Sequence, residues 1–362
     1  MHPSEARRGD PQRSPHPVKR LVHPIFLPHF GCPFRCVYCN QNCVATHRGQ
    51  GTGRSDPLGS FHAQLRALVS ASRSPVSTGE VALYGGTFTA LPRAIQVEML
   101  DALAAYVDRG IFRGIRFSTR PDGISPSVCD FLRNYPVRTI ELGVQSFSDE
   151  VLRSSGRGYD AETAIVAASL VKDAGWDLGV QLMTGLPGDS QAHFNHSVLQ
   201  TIAIAPAMAR LYPTLVLRDT KLASWLMEGS FSVMSLEETL DWCSWAYDAF
   251  VGAGIPVARM GLHADPELMR PGNIVAGPFH PAFGYLVRVR WWRDRIDEAI
   301  RSTQPHGEGR SMVVRVSERS LSEILGPGRE NLAFWKEKWQ LATIRAQGMR
   351  DWPLRGLECV WE

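Results

Sequence analysis

The sequence predicts an α/β fold in which about six parallel strands form a partial or full (β/α) barrel, followed by a C-terminal α+β extension. Short apolar runs alternate with longer segments of helical periodicity from residue 21 onward. A chain of 362 residues is long enough for one large barrel with an appendage. The alternation is lost after about residue 255, and nine of the ten tryptophans lie between Trp225 and Trp361. We therefore divide the chain into a basic tail (1–20), a barrel domain (21–254) and an extension (255–362) that is a candidate substrate cover.

Six segments favour strands, and the stretches between them are long enough for crossover helices. The strand segments are 23–30, 81–85, 114–119, 137–144, 177–183 and 211–217, and a further strand is expected near 255–260. One helix is indicated by apolar residues that recur every three or four positions, namely Ile95, Met99, Leu103 and Tyr106. A second is indicated by an N-cap at Asp160 and a stop at Gly175. A third begins at a capping box formed by Ser235 and Glu238. In a parallel barrel, ligands bind at the C-terminal ends of the strands.

The composition is that of an ordinary folded protein, with 44% apolar and 21% charged residues. No run approaches the length of a membrane span, and the N-terminus lacks the apolar run of a secretory signal, so we expect a cytoplasmic protein. The net charge of +3 comes from the first twenty residues, which we expect to be disordered. The remainder is neutral, which argues against strong overall attraction to nucleic acid or anionic lipid but leaves a local basic patch open.

Four of the seven cysteines fall within twelve residues, directly after the first predicted strand. Cys32, Cys36 and Cys39 have the spacing C-x3-C-x2-C, and Cys43 follows. Clustered thiols in a chain without a secretion signal indicate a metal or cluster site rather than a disulfide framework. Three thiolates can ligate three irons of a [4Fe-4S] cluster and leave the fourth iron open for another ligand. The alternatives are that Cys43 supplies a fourth ligand, that the thiols bind zinc, or that they are core residues.

Several motifs accompany the cysteines in a fixed order along the chain. The segments are Tyr84-Gly85-Gly86-Thr87-Phe88, Ser118-Thr119-Arg120-Pro121-Asp122, Glu141-Leu142-Gly143-Val144-Gln145-Ser146, Gly156-Arg157-Gly158 and Gly185-Leu186-Pro187-Gly188. Together with the cysteine loop and its Tyr38, they resemble the radical S-adenosylmethionine (SAM) superfamily, in particular the radical SAM domain of the Elongator catalytic subunit. They are also similar to the oxygen-independent coproporphyrinogen oxidase branch. The similarity covers residues 23 to about 220.

The resemblance implies an enzyme that reductively cleaves SAM at a [4Fe-4S] cluster held by Cys32, Cys36 and Cys39. The products are methionine and a 5′-deoxyadenosyl radical, which abstracts hydrogen from a substrate. Because the reduction needs an external electron, a flavodoxin or ferredoxin is an expected partner. No second C-x2-C pair is present, so a second iron-sulfur centre is not expected.

The resemblance also implies contacts to SAM. Gly85, Gly86 and Thr87 are expected at the methionyl amino group, where glycines allow a backbone carbonyl to approach closely. Ser118 stands where the coproporphyrinogen oxidase branch has Glu, which weakens any amino-group contact there. Gln145 is expected at the ribose or carboxylate.

Four further residues complete the implied SAM site. Arg157 is expected to clamp the SAM carboxylate with a charge-assisted hydrogen bond. Gln181 replaces an Asp of the coproporphyrinogen oxidase branch and can still bond a ribose hydroxyl. Met183 and Tyr38 are expected to pack around the adenine, with plain core packing as the alternative for Met183.

The sequence leaves the substrate unidentified. An RNA nucleoside is favoured by analogy of branch, with a small molecule or a tetrapyrrole as the alternative. No acetyl-CoA-binding signature is evident after residue 255, so we expect a radical SAM domain without an acetyltransferase domain. A hypothesis of a different class is a non-catalytic iron-sulfur or zinc protein that binds a partner through its tryptophan-rich C-terminal region.

Two features outside the barrel have alternative interpretations. Residues 285–296 interleave arginines with tryptophans, which could bind phosphates and stack bases. The favoured interpretation is one helix with Phe283, Val287, Trp291 and Ile300 buried and its arginines facing water. His263 and His280 follow a predicted strand and either line a substrate cavity or cap loops, and we favour the loop caps.

Overall fold

A computed structural model of the protein describes residues 21–27, 32, 35–40, 56–71, 79–263, 266, 268–303 and 310–362. The expected disordered tail and Cys43 lie outside these residues. The strands are β1 (Val22–Phe26), β2 (Glu80–Tyr84), β3 (Gly114–Thr119), β4 (Val137–Gln145), β5 (Asp177–Thr184), β6 (Met208–Pro213), β7 (Val216–Leu217), β8 (Val257–Met260), β9 (Ile274–Ala276), β10 (Ser311–Ser317), β11 (Thr343–Met349) and β12 (Leu357–Trp361). The helices are α1 (Pro57–Ala71), α2 (Arg93–Asp108), α3 (Pro126–Leu132), α4 (Asp149–Ser154), α5 (Ala161–Asp173), α6 (Gln191–Ile204), α7 (Lys221–Met227), α8 (Leu236–Gly252), α9 (Phe283–Ser302), α10 (Leu321–Leu325) and α11 (Glu330–Lys338).

The main sheet is a seven-stranded parallel sheet in the order β1-β2-β3-β4-β5-β6-β8, with helices in the connections. All six neighbouring pairs are parallel, and the sheet curls into a partial barrel. The predicted α/β barrel class is therefore confirmed, although it has seven strands rather than about six. The seventh strand, β8, is the further strand expected near 255–260; it is four residues long and lies beyond the boundary drawn at residue 254.

The sixth predicted strand, at 211–217, is wrong at both ends. Strand β6 begins at Met208 and ends at Pro213, and Val216–Leu217 forms a separate antiparallel pair with β9. The apolar run of Leu215, Val216 and Leu217 is buried in two small side clusters rather than in the barrel core. A continuous apolar run that is buried in side clusters therefore has the same sequence pattern as a buried parallel strand.

The predicted helix ends are confirmed. The Asp160 side chain accepts the N–H of Thr163 at 2.9 Å, and Gly175 follows the end of α5 with a φ of +82°. Ser235 and Glu238 form a reciprocal capping box at the start of α8. The expected stripe in α9 is also present, since Phe283, Val287, Trp291 and Ile300 are all buried.

Two hydrophobic cores meet along α9. Phe283 and Val287, near its start, pack in the barrel core, whereas Trp291 and Trp292 belong to a second core in the extension. That second core lies against a three-stranded sheet of order β11-β10-β12. In the described ranges, no helix is both long and apolar enough to cross a membrane.

Four of the five arginines of α9 are paired with acidic side chains, and the fifth, Arg295, lies over the rings of Trp291 and Trp292. Arg290 contacts Asp241 and Glu237, Arg293 contacts Glu330 at 3.0 Å, and Arg288 contacts Glu323 at 2.5 Å. Because the tryptophans between them are buried, this helix does not present a surface for stacking bases.

Candidate active site

The cysteine loop lies at the mouth of the barrel, which we define as the C-terminal ends of the main-sheet strands. The N–H of Cys39 donates to the carbonyl of Cys36 at 3.0 Å, which closes a turn. Val37 anchors this turn on both sides: its N–H donates to the carbonyl of Ser155 at 3.1 Å, and its carbonyl accepts the N–H of Leu222 at 2.9 Å. The loop is thus held between the end of α4 and α7.

The donor set of the cysteine loop consists of the thiols of Cys32, Cys36 and Cys39. No three His, Cys, Asp or Glu side chains of the described residues gather around a point where one ion could bind. Each thiolate of a [4Fe-4S] cluster binds a different iron, so three thiols can hold such a cluster without meeting at one point. Burial and the neighbouring Cys36 and Cys32 raise the pKa of Cys39 to about 12. The Cys39 thiol therefore needs nearby positive charge, such as bound iron supplies, to ionise.

The turn after β2 connects the cysteine loop to the expected SAM site. Cys32 Sγ lies 3.3 Å from Thr87 Oγ1. Gly85 has a φ of +99°, and a Cβ at this position would lie 2.2 Å from the carbonyl oxygen of Leu27. Only glycine fits there, and this close approach brings the ends of β1 and β2 together.

Several buried polar atoms near the strand ends have no hydrogen-bond partner in the described part of the chain, and two of them belong to expected SAM-site residues. They are Ser118 Oγ, near the end of β3, and Gln145 Oε1, at the end of β4. Gln145 also has a φ of +71°, in the left-handed region that is unfavourable for a non-glycine residue, next to a register shift between β4 and β5. Buried polar atoms are nearly always bonded, so these two favour a polar ligand that completes the site. The residues present therefore fit a [4Fe-4S] cluster and SAM.

Arg157 lies behind the cysteine loop and is 5% exposed. Its Nη1 lies 3.2 Å from Cys36 Sγ and 3.2 Å from the Tyr38 hydroxyl. Its Nη2 donates to the carbonyl of Gly143 and, at 2.7 Å, to the hydroxyl of Tyr159, which also accepts from Nε at 3.0 Å. Burial raises the pKa of Tyr38, so that hydroxyl remains neutral.

The sequence assigned no role to two residues beside Arg157. The Arg120 guanidinium pairs with Asp122 through two 2.8 Å contacts, donates to the carbonyl of Arg157, and has its Nη1 3.9 Å from Cys36 Sγ. The Tyr159 hydroxyl lies 2.9 Å from the carbonyl oxygens of both Gly143 and Val144. In the sequence, the only signal for these residues is their position: Arg120 lies within one of the motifs quoted above, and Tyr159 directly follows another.

Gln181 and Met183 point to the same side of β5 but differ in depth. Gln181 Nε2 lies 3.3 Å from Glu141 Oε2, three residues before the end of the strand. Met183 is half-buried and lies two residues nearer the end of the strand. By strand register, Gln145 pairs with Leu182, directly between these two residues.

An ionic cluster fills the barrel below the mouth. It consists of Glu80, Tyr84, Arg116, Thr139, Glu141, Gln181 and Arg210. The fully buried Glu141 carboxylate contacts Arg210 at 2.7 Å, Arg116 at 3.0 Å and the Tyr84 hydroxyl at 2.8 Å. Its oxygens are thus already satisfied within the protein.

The two loop histidines lie just before α9 and just after β8. His280 Nδ1 accepts the N–H of Ala282 at 3.1 Å, just before α9, which agrees with the favoured interpretation as a loop cap. His263 is exposed.

Comparison with known proteins agrees with this site. The Radical SAM superfamily matches residues 26–199, and the radical SAM C-terminal domain matches residues 206–293. The chain therefore belongs to the radical SAM superfamily and is an enzyme that uses a [4Fe-4S] cluster and SAM. Within that superfamily, its radical SAM domain is similar to that of the Elongator catalytic subunit.

The relatives that support this similarity extend beyond the matched region. The tRNA uridine(34) acetyltransferase of Methanocaldococcus infernus is 27% identical over 261 residues, which is 63% of this chain and 48% of the relative. Human Elongator complex protein 3 is 26% identical over 208 residues, 52% of this chain and 38% of the relative. The chain thus spans about half or less of these relatives.

A solved structure supports the fold. Elp3 of Methanocaldococcus infernus, with an N-terminal deletion, superposes with a TM-score of 0.56 at 22% identity and covers 76% of this chain and 63% of that one. At this identity the similarity extends to the fold and not to the substrate.

Proposed function

We propose that Cys32, Cys36 and Cys39 hold the [4Fe-4S] cluster at the mouth of the barrel and that SAM binds beside it. When both are bound, they supply reductive cleavage of the SAM sulfonium and a 5′-deoxyadenosyl radical for hydrogen abstraction. The observation that carries the proposal is the 3.3 Å contact between Cys32 Sγ and Thr87 Oγ1, because it joins the cysteine loop to the glycine turn.

The protein's own groups bind and orient SAM. The Gly85-Gly86 turn offers backbone carbonyls to the amino group, and Thr87 fixes that turn against the cysteine loop. The unpaired Ser118 hydroxyl and Gln145 amide oxygen accept hydrogen bonds from SAM amino or hydroxyl groups.

The adenosine end of SAM lies toward β5 in this proposal. Met183 and Tyr38 enclose the adenine, and Gln181 is within reach of a ribose hydroxyl only if it moves away from Glu141. Packing these groups around SAM excludes water from the reacting bond.

The proposed substrate is an RNA nucleoside, and a small molecule or tetrapyrrole is the alternative. The names of the tRNA uridine(34) acetyltransferases support RNA. Since the tryptophans of α9 are buried and four of its five arginines are paired with acidic side chains, we do not assign RNA binding to that helix. A flavodoxin or ferredoxin is the proposed electron donor.

The test begins with anaerobic reconstitution with iron and sulfide, followed by dithionite and SAM. We expect 5′-deoxyadenosine from the wild type and none from Cys36→Ala. The matched control is Cys359→Ala, which removes a half-buried thiol in the extension and is expected to behave as wild type. A colourless protein that holds zinc and never cleaves SAM would support the non-catalytic hypothesis instead.

The substrate class is tested in the same assay. Addition of unmodified tRNA is expected to increase 5′-deoxyadenosine formation, whereas an equal mass of double-stranded DNA is not. If neither tRNA nor its fragments change the yield, the RNA assignment fails while the radical SAM assignment stands.

A further inference from the structure

Arg157 differs from the other buried arginines of the barrel because none of its described partners is a carboxylate. Arg116 contacts Glu80 and Glu141, and Arg120 is paired with Asp122. The partners of Arg157 are two tyrosine hydroxyls, a backbone carbonyl and Cys36 Sγ. Buried charges are normally paired, so the counter-charge of this guanidinium must come from the cysteine loop or from a ligand.

The guanidinium has no N–H left for another acceptor in this arrangement. An arginine has five N–H donors. Nε and one N–H of Nη2 point to Tyr159, the other N–H of Nη2 points to Gly143, and the two N–H groups of Nη1 point to Cys36 and Tyr38. A bidentate bond to a SAM carboxylate would have to break at least two of these contacts.

The contacts also fix the guanidinium rigidly against Cys36. The Tyr159 hydroxyl that holds Nε and Nη2 is itself 2.9 Å from the carbonyls of Gly143 and Val144, at the end of β4. The Arg157 carbonyl is in turn held by Arg120. Since the arginine is anchored at both ends by the barrel, its charge stays beside the cysteine sulfur.

We propose that Arg157 is a positioning residue for the cluster: it donates an N–H···S hydrogen bond to the Cys36 thiolate and stabilises the reduced cluster. This inference rests on the proposed cluster ligation by Cys36. An external one-electron donor, dithionite or a flavodoxin, supplies one electron, and the cluster gains one negative charge. Arg157 stays protonated and transfers nothing. Hydrogen bonds and positive charge near cluster sulfurs favour the reduced state because they offset that added charge.

The test is a redox titration of the reconstituted protein, followed by electron paramagnetic resonance and performed without SAM. Arg157→Gln removes the charge, and we expect the ratio of reduced to oxidised cluster at a fixed potential to fall about tenfold, equivalent to about 59 mV for one electron. Arg157→Lys keeps the charge but loses the fork that reaches Cys36, and we expect about a threefold fall. The control is Arg153→Gln, an exposed arginine of the neighbouring α4, which should match wild type.

A second variant serves if Arg157→Gln does not retain the cluster. Tyr159→Phe removes the hydroxyl that fixes Nε and Nη2, and about a threefold fall in the same ratio is expected. The inference is overturned if Arg157→Lys and Tyr159→Phe carry normal iron and sulfide and titrate as wild type does.

SAM binding distinguishes this role from a carboxylate clamp. Equilibrium dialysis of SAM against the oxidised cluster protein should give Arg157→Lys an affinity within about twofold of wild type. A loss of more than about tenfold in SAM affinity with an unchanged potential would assign Arg157 to the SAM carboxylate and overturn the inference. If the wild type forms no cluster, the proposed function itself fails, which is a separate outcome.

Discussion

The ionic cluster inside the barrel and the mouth above it are both built from buried polar side chains, but they differ in how those groups are satisfied. In the ionic cluster, Glu141 is bonded to Arg116, Arg210 and Tyr84. At the mouth, Ser118 Oγ and Gln145 Oε1 have no partner in the described part of the chain, and Arg157 faces a cysteine sulfur.

The difference separates structural polar groups from ligand-binding ones. Polar side chains that satisfy one another add to stability and are closed to ligands, because binding would first have to break their bonds. Unpaired atoms and a strained Gln145 lower the stability of the free protein, which is the pattern expected where a ligand completes the site. Substitutions in the two regions should therefore affect different quantities.

The largest effect on folding is expected at Glu141. Glu141→Ala leaves Arg116 and Arg210 buried without this carboxylate, and we expect the free energy of unfolding to fall by about 3–5 kcal/mol. Urea unfolding followed by circular dichroism measures it. The matched control, Glu150→Ala, removes an exposed carboxylate and should cost less than about 0.5 kcal/mol. Equal effects of the two substitutions would contradict the assigned role of the ionic cluster.

Asp189, after β5, is a half-buried carboxylate that accepts hydrogen bonds from the N–H groups of Gly185 at 3.0 Å and Ser190 at 2.9 Å. Burial raises its pKa to about 6, above its ordinary value of 3.8. The folded state thus binds the proton more tightly, and this stabilisation is complete below about pH 4 and is lost as pH rises through 6. Relative to Asp189→Asn, the wild type should lose about 2 kcal/mol between pH 4 and 7. A difference that does not change with pH would contradict the raised pKa.

Tyr84→Phe tests one bond of the ionic cluster at constant shape. It removes the hydroxyl that donates to Glu141 and leaves both arginines in place, so we expect a loss of about 1 kcal/mol in the free energy of unfolding. Thermal unfolding at several pH values provides the measurement. A loss as large as that of Glu141→Ala would mean that the tyrosine, not the ion pairs, holds the ionic cluster together.

The smallest effect on stability is expected at the mouth. Ser118→Ala removes an unpaired hydroxyl, so the free energy of unfolding should change by less than about 0.5 kcal/mol. The affinity of the cluster-loaded protein for SAM should nevertheless fall about three- to tenfold, the loss of one hydrogen bond. A clear loss of stability with unchanged SAM affinity would place Ser118 with the structural groups.

The sequence predicts those parts of the molecule that local patterns encode. Spacing alone identified the cysteine loop, and capping residues identified both ends of α5 and the start of α8. The ionic cluster could not be predicted, because it joins side chains from five strands and no local pattern records such pairing. The predicted strand begins at residue 211 and not at Met208, because the charge of Arg210 suggests an exposed position outside a buried strand. Arg120 contacts the cysteine loop, 84 residues before it in the chain, and Tyr159 holds Arg157 through bonds to the end of β4, so no local pattern records either role.

The central claim is that the three cysteines hold a cluster with one iron open to SAM, and electron paramagnetic resonance of the dithionite-reduced protein before and after SAM addition tests it most directly. We predict about four irons and four sulfides per chain and a reduced-cluster signal that changes when SAM is added. A protein with this iron content whose signal is unchanged by saturating SAM, or one that binds zinc in place of the cluster, would contradict the claim.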